Sequence, residues 1–149
     1  MKTNVALALA AAGAAALVEA ATLTVGRGEA VTVTADAVYE TVAVHGDLTV
    51  SGACLSLPDG TGTDGQEKTV VSLGADAGDA ATLTVKAGGS FRQNAGKGDI
   101  LEIGANGGWG RVDVLSTEFE AFRMRYLDVA AAARSPDDDP TVLTVGGWV

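Results

Sequence analysis

The amino-acid sequence predicts an all-β fold, a single-stranded β-solenoid (β-helix) of about four to five short coils. Three observations support this prediction. Short runs that alternate apolar and polar residues fill the chain after its first twenty residues, glycine-rich corners separate these runs, and the wording Leu-Thr-Val recurs. The alternative architecture for such alternation is an antiparallel β-sandwich.

Composition limits the function classes before any motif is considered. The chain has 149 residues, enough for one domain with a real core, and only 5% of them are aromatic, so we expect a narrow core of Val, Leu and Ile. Its formal net charge is −9. Nucleic acids and anionic membranes attract clustered Lys and Arg, so the charge excludes nucleic acid as a partner and disfavours an anionic membrane surface.

Residues 1–20 are typical of a secretory signal peptide. Lys2 gives the positive start, the uncharged stretch 5–18 is too short to span a membrane comfortably, and small residues at Val18 and Ala20 suit cleavage after Ala20. The alternative, an Ala-rich helix kept on the domain, would need burial on every side. The sequence therefore predicts an exported protein that is secreted or held at the cell surface, without membrane insertion once the signal is removed.

The strands fall into groups of three, as coils of a solenoid do. Leading strands are expected near Leu23, Leu48, Leu83, Val112 and Leu143, at steps of 25, 35, 29 and 31 residues. Four of them read Leu-Thr-Val, and in each triplet we expect the apolar residues inward and the Thr outward. The stretch 122–126 is predicted as one strand, and Ala130–Ala133 could add a helical turn.

The longest step contains a polar loop insertion at 58–69, rich in glycine and charge. The domain prediction is therefore a signal peptide at 1–20 and a solenoid domain at 21–149 that carries this insertion. The closing strand, 141–149, starts a new coil without a polar cap, so we expect the domain to be incomplete at its C-terminus and to self-associate through the open coil.

Residues 81–114, ATLTVKAGGSFRQNAGKGDILEIGANGGWGRVDV, resemble the repeats of secreted bacterial β-solenoids, the autotransporter passengers and adhesin-like strand repeats. Residues 42–57 show the same succession of short alternating strands and glycine corners. The resemblance implies a β-solenoid fold and a surface location. It leaves the partner open between glycans and another protein surface.

The glycine runs are interpreted as corners rather than ligand loops. Gly60–Gly65 has the spacing of a dinucleotide loop, but a strand follows it where that motif needs a helix. Gly107–Asp113 nearly matches a calcium repeat, but its Asp arrives one residue late, and the motif occurs once. Glycine and Asn106 suit the left-handed backbone of tight corners.

The pattern of the remaining candidate residues predicts no catalytic, cofactor or metal site. Asp137–Asp139 is interpreted as a solvated charge run, Cys54 as a half-buried residue at a strand start, and His45 as a turn residue. With one His, one Cys and no nucleophile elbow, neither a catalytic triad nor a zinc site is predicted. We therefore expect no catalytic residues, no cofactor and no metal.

Two functions agree with this pattern. The first is a non-catalytic adhesin or structural stalk segment. The alternative is a carbohydrate-active β-helix enzyme, similar to pectin lyases and acting on extracellular polysaccharide, which would need convergent acids on one face. Four aspartates are available for such a role: Asp36, Asp47, Asp76 and Asp113. For Trp109 and Trp148, each after a glycine pair, we consider either stacking on a sugar or on a partner, or covering the apolar column beneath the turn.

Overall fold

The computed structural model describes residues 22–57, 68–93, 99–124, 126–129 and 142–145, and it confirms the β-solenoid. Every strand pairing of these residues is parallel, which contradicts an antiparallel sandwich. The strands are, in chain order, β1 (Thr22–Val25), β2 (Ala30–Val33), β3 (Ala37–Val38), β4 (Thr41–Val44), β5 (Asp47–Val50), β6 (Cys54–Leu57), β7 (Lys68–Leu73), β8 (Ala80–Val85), β9 (Ser90–Gln93), β10 (Asp99–Ile103), β11 (Trp109–Val114), β12 (Phe122–Arg123), β13 (Tyr126–Val129) and β14 (Val142–Val145).

Each coil contributes one strand to each of three sheets, as far as the described residues extend. The first sheet has the order β1-β4-β7-β10-β13, the second β2-β5-β8-β11-β14, and the third β3-β6-β9-β12. Coil 1 is therefore β1 to β3, coil 2 β4 to β6, coil 3 β7 to β9 and coil 4 β10 to β12, and coil 5 holds β13 and β14. Five coils agree with the predicted number.

The interior is an apolar column built by strand alternation. In β5 and β8 the Leu and Val side chains are fully buried, and the Thr between them is partly exposed. The same holds in β1, where Thr24 is exposed. The predicted register is confirmed for these three Leu-Thr-Val triplets. The side chains of the fourth, 143–145, lie outside the described residues.

The first coil begins elsewhere than predicted. Leu23 does not stack on Leu48: it pairs with Val42 in the first sheet, whereas Val31 of β2 stacks beneath Leu48. The later leading strands are confirmed, since Leu48, Leu83, Val112 and Leu143 are successive partners. The error arose because inward and outward positions follow the same alternation on all three faces, so identical wording does not identify a face.

The predicted single strand at 122–126 is in fact two strands in different sheets. Phe122 ends coil 4 in the third sheet, and Tyr126 begins coil 5 in the first. The ring of Phe122 stacks on the fully buried ring of Phe91, with centroids 5.9 Å apart. A corner between the two strands lets the chain rise by one coil while the aromatic pair continues the interior.

The glycine run after β10 forms a corner, as predicted. A short 3-10 turn, Ala105–Gly107, lies between β10 and β11, with Gly104 at φ 72°, Asn106 at φ 49° and Gly107 at φ 82°. These left-handed conformations favour Gly, which has no Cβ to approach the following carbonyl oxygen, and Asn, whose short polar side chain can hydrogen-bond locally. The same corner is crowded by the neighbouring coil, since a methyl group on Gly108 would overlap the backbone of Gly74.

Several sequence predictions fall outside the described residues. These are the leader 1–20, the glycine motif 60–65, the turn 130–133, the acidic run 137–139 and Trp148. The strand after the polar insertion begins at Lys68, two residues earlier than expected. Within the part of the chain that the structure describes, no helix has the length and hydropathy needed to cross a bilayer.

Close stacking of the corners yields a first prediction. Gly74 and Gly52 both have positive φ, 62° and 64°. A methyl at Gly74 would overlap the backbone of Trp109 in the next coil, whereas one at Gly52 meets no described atom within 4 Å. We expect Gly52→Ala to cost about 1–2 kcal/mol, the usual left-handed penalty, and Gly74→Ala to cost clearly more. Equal losses in urea unfolding would contradict the stacking argument.

Candidate functional site

Three successive corners between the first and second sheets bring together residues that are far apart in sequence. Arg27 lies in the corner of coil 1, His45 in that of coil 2, and Asp79 in that of coil 3. Their separations along the chain are 52 residues for Arg27 and Asp79 and 34 for His45 and Asp79. We call this group the corner clasp.

Asp79 is the centre of the corner clasp, and its side chain is fully buried. Oδ1 accepts a hydrogen bond from Arg27 Nε at 2.5 Å, and Oδ2 lies 2.6 Å from His45 Nδ1. Because an ionised carboxylate only accepts hydrogen bonds, Nδ1 of His45 carries the hydrogen. The backbone N–H of Asp76 also donates to Oδ2, at 2.9 Å. Every oxygen of the buried carboxylate is therefore hydrogen-bonded.

Arg27 reaches across coil 2 to make its contacts. Besides Asp79, its Nη2 donates to the carbonyl oxygen of Ala77 at 3.0 Å, while 58% of the side chain stays exposed. The guanidinium therefore joins the first corner to the third directly. The charge-assisted bond to a buried carboxylate is stronger than an exposed ion pair, because water does not compete at the acceptor.

The pKa of Asp79 results from two opposing effects. Burial raises the pKa by disfavouring the charged form. The hydrogen bonds from His45, Asp76 and Arg27 stabilise that form and outweigh burial, so the pKa lies below the ordinary value of 3.8. Asp79 is therefore ionised at neutral pH, which is what the clasp needs.

The corner clasp has the parts of two functional sites, but its bonding favours a structural role. A histidine oriented by a carboxylate is also the arrangement of a general base. For covalent catalysis a side-chain nucleophile must lie beside it, and the thiol of Cys54 lies at a different corner. His45, Asp76 and Asp79 offer ligand atoms within 4.8 Å of one another, the separation of a metal site. Both oxygens of Asp79 are already occupied, and the Arg27 cation beside them opposes a second cation.

The four aspartates considered as catalytic acids do not converge on one point. Asp36 accepts a hydrogen bond from the N–H of Cys54 at the corner between β5 and β6, at 2.7 Å. Asp76 belongs to the turn that ends in Asp79, and Asp113 pairs with Arg111 at 2.7 Å. Asp47 and Asp113 share the second sheet but are two coils apart. The structure gives Asp36, Asp76 and Asp113 local structural contacts instead.

Cys54 behaves as predicted. It is half-buried, starts β6 and is free of a disulfide.

A second feature lies on the outer surface of the second sheet, next to the corner clasp. In β11 the residues Gly110, Val112 and Val114 are buried, so alternation places Trp109, Arg111 and Asp113 on the outside. Their in-register partners in β8 are Ala80, Thr82 and Thr84. These six residues define the Trp109 face. The position of Trp109 is therefore on the outer surface. The expectation that its ring covers the apolar column beneath the turn is not met.

Sequence reasoning missed the corner clasp for an identifiable reason. His45 was recognised as a turn residue and Asp76 as an acid, but Arg27 and Asp79 were not singled out. Aligning coil 1 by β2, and not by Leu23, would have placed the corners 26–29, 45–46 and 74–79 over one another. In that alignment Arg27, His45 and Asp79 lie in corners that are stacked directly over one another.

Comparison with known proteins identifies no relative. No family model, no curated protein and no solved structure matches this chain.

The corner clasp yields a second prediction, on stability. Asp79→Asn removes the charge that Arg27 and His45 contact, so we expect the free energy of unfolding at pH 7 to fall by about 1–3 kcal/mol, as for a buried charged acceptor. Asp76→Asn is the matched control, because Asp76 is exposed and hydrogen-bonds to Asp79 through its backbone N–H, which the substitution keeps. Urea unfolding of both variants measures the difference, and equal losses would contradict the assignment.

The lowered pKa of Asp79 also predicts that the stability of the fold depends on pH. A carboxyl whose pKa is lower in the folded state stabilises the fold above its ordinary pKa, and this contribution disappears as pH falls through the folded value. The advantage of the wild type over Asp79→Asn should therefore persist from pH 7 to about pH 4 and shrink below it. Urea midpoints measured from pH 7 to pH 2 test this. An advantage that stays constant to pH 2 would show that the charge of Asp79 is not responsible.

Proposed function

We propose that this chain is a non-catalytic, exported β-solenoid that serves as an adhesin or as a structural stalk segment at the cell surface. The observation that supports the proposal is that its charged corner residues bond to residues of other coils. Arg27 of coil 1 and His45 of coil 2 both bond to the carboxylate of Asp79 in coil 3. Such bonding suits a part whose task is to keep its shape.

The continuous interior supports the same proposal. The buried residues of successive coils stack in register from Val42 and Leu48 to Leu101 and Val112. Coils stacked at the ordinary strand spacing rise about 4.8 Å each, so the five coils extend over about 20 Å. A stack of coils in register is sufficient for a rigid spacer or a display surface. An enzyme of this architecture would in addition need acids that converge on one point.

An activity screen tests the non-catalytic part of the proposal. The purified chain is incubated with neutral and acidic polysaccharides, with and without calcium, and reducing ends are measured. We expect no release above that of a heat-denatured sample. Turnover that is lost in His45→Ala, or in a variant of one of the four aspartates, would establish the carbohydrate-active alternative and overturn the proposal.

Export is tested separately. When the full chain is expressed in a bacterial host, we expect a periplasmic or secreted product that begins at Ala21 by mass spectrometry. Leu9→Arg places a charge in the apolar stretch and should hold the chain in the cytoplasm, because the segment then no longer resembles a signal peptide. Thr24→Arg, just after the leader and at an exposed position, is the control and should be exported normally. A cytoplasmic wild-type product of full length would overturn the surface location.

A further inference from the structure

We propose that the Trp109 face binds a neutral polysaccharide. The inference rests on the proposed non-catalytic function and deepens it by naming the class of partner. The surface consists of the outward side chains of two neighbouring strands, β8 and β11, and it continues across β5 through Asp47 and Thr49.

The first argument is the shape of the surface. Apart from Trp109 and Arg111, the outward positions of β2, β5, β8 and β11 are occupied by short side chains: Ala30, Thr32, Asp47, Thr49, Ala80, Thr82, Thr84 and Asp113. Among these described side chains Trp109 is the only aromatic one. Its in-register neighbour, Ala80, is exposed and presents only a methyl group. One half-buried ring therefore lies among otherwise short side chains on this surface, which suits an extended chain lying across the coils.

The second argument is rigidity. The N–H of Trp109 donates to the carbonyl oxygen of Asp79 at 3.0 Å, so the corner clasp holds the strand start to which the ring is attached. The preceding Gly108 donates to Ala105 at 3.0 Å and closes the corner. A ring presented by a fixed backbone loses little conformational freedom when a ligand binds, which favours affinity.

The third argument is chemical. The face of an indole ring carries negative partial charge, and the C–H groups on one face of a sugar carry positive partial charge, so the two stack. Hydroxyl groups along a sugar chain need both donors and acceptors. Thr82 and Thr84 offer both, Arg111 donates, and Asp113 accepts. All four lie on the outer surface of the same two strands as Trp109.

The fourth argument is charge. Arg111 and Asp113 are paired at 2.7 Å, so the centre of the surface has no net charge. The whole chain has a formal net charge of −9, which repels polyanions such as acidic polysaccharides. Asp47, where the surface continues across β5, adds one carboxylate. Neither this surface nor the whole chain attracts a polyanion, so we commit to a neutral glycan.

Affinity electrophoresis tests the inference with defined probes. The purified chain is run through native gels that contain hydroxyethylcellulose, mixed-linkage β-glucan, galactomannan or polygalacturonate. We expect slower migration in at least one of the three neutral polymers and unchanged migration in polygalacturonate. Retardation should persist in 0.5 M salt, since screening has no effect on an uncharged ligand. Unchanged migration in all neutral gels, or retardation by polygalacturonate alone, would overturn the inference.

Three variants locate the binding. Trp109→Ala should weaken retardation at least ten-fold in apparent affinity. Because the ring is half-buried and its loss could disturb the strand, Ala80→Glu is the second variant: position 80 is exposed, and the new side chain would cover the flank of the ring. Phe119→Ala is the matched control, as its ring is 87% exposed in the loop between β11 and β12, away from this surface. It should bind as the wild type does.

The outcomes separate this inference from the proposed function. Binding that survives both Trp109→Ala and Ala80→Glu would overturn the assignment to the Trp109 face. Absence of binding together with absence of turnover overturns the inference alone. Release of reducing ends overturns the non-catalytic function instead, whether or not the variants reduce retardation.

Discussion

Hydrogen bonding between parallel strands of successive coils places each coil of this protein directly over the one before it. The ladder continues past the strand ends into the corners, where Ser51, Lys86 and Leu115 donate to Val33, Val50 and Val85. Because the register is kept at these positions, a residue that is buried in one coil has a buried neighbour in the next. The apolar column, the outward Thr positions and the crowded glycine corners are all consequences of this one constraint.

The corners between the first and second sheets hold side chains that bond between coils. The described inward strand positions of these two sheets take apolar residues that fit the column, whereas the corners have room for Arg27, His45 and Asp79. The buried carboxylate of Asp79 is tolerated there because three donors surround it. The adjoining strand start, at Trp109, takes its position from the backbone of the same residue. Structural bonding and surface presentation thus meet at one corner.

Much of the fold could be predicted from the sequence, and the limits have physical reasons. Alternation and glycine corners were sufficient to predict strands, inward residues and the steps from Leu48 to Leu143. They did not place Leu23, because a Leu-Thr-Val strand satisfies any of the three faces equally well. The first step between stacked residues of the second sheet is also short, since Leu48 follows Val31 by only 17 residues. The clasp was not predictable in the same way, since its side chains meet only when the corners are correctly superimposed.

The contacts of Arg27 have a consequence for how the solenoid unfolds. In most repeat proteins each unit contacts only its immediate neighbours, so stability is a sum of unit terms and nearest-neighbour terms, and an end unit frays independently. Here a side chain of coil 1 bonds to Asp79 and Ala77 in coil 3 and passes over coil 2. Loss of the first coil therefore also removes a contact of the third. The three coils at this end form one cooperative block, in which partial fraying is penalised beyond what adjacent coils alone would impose.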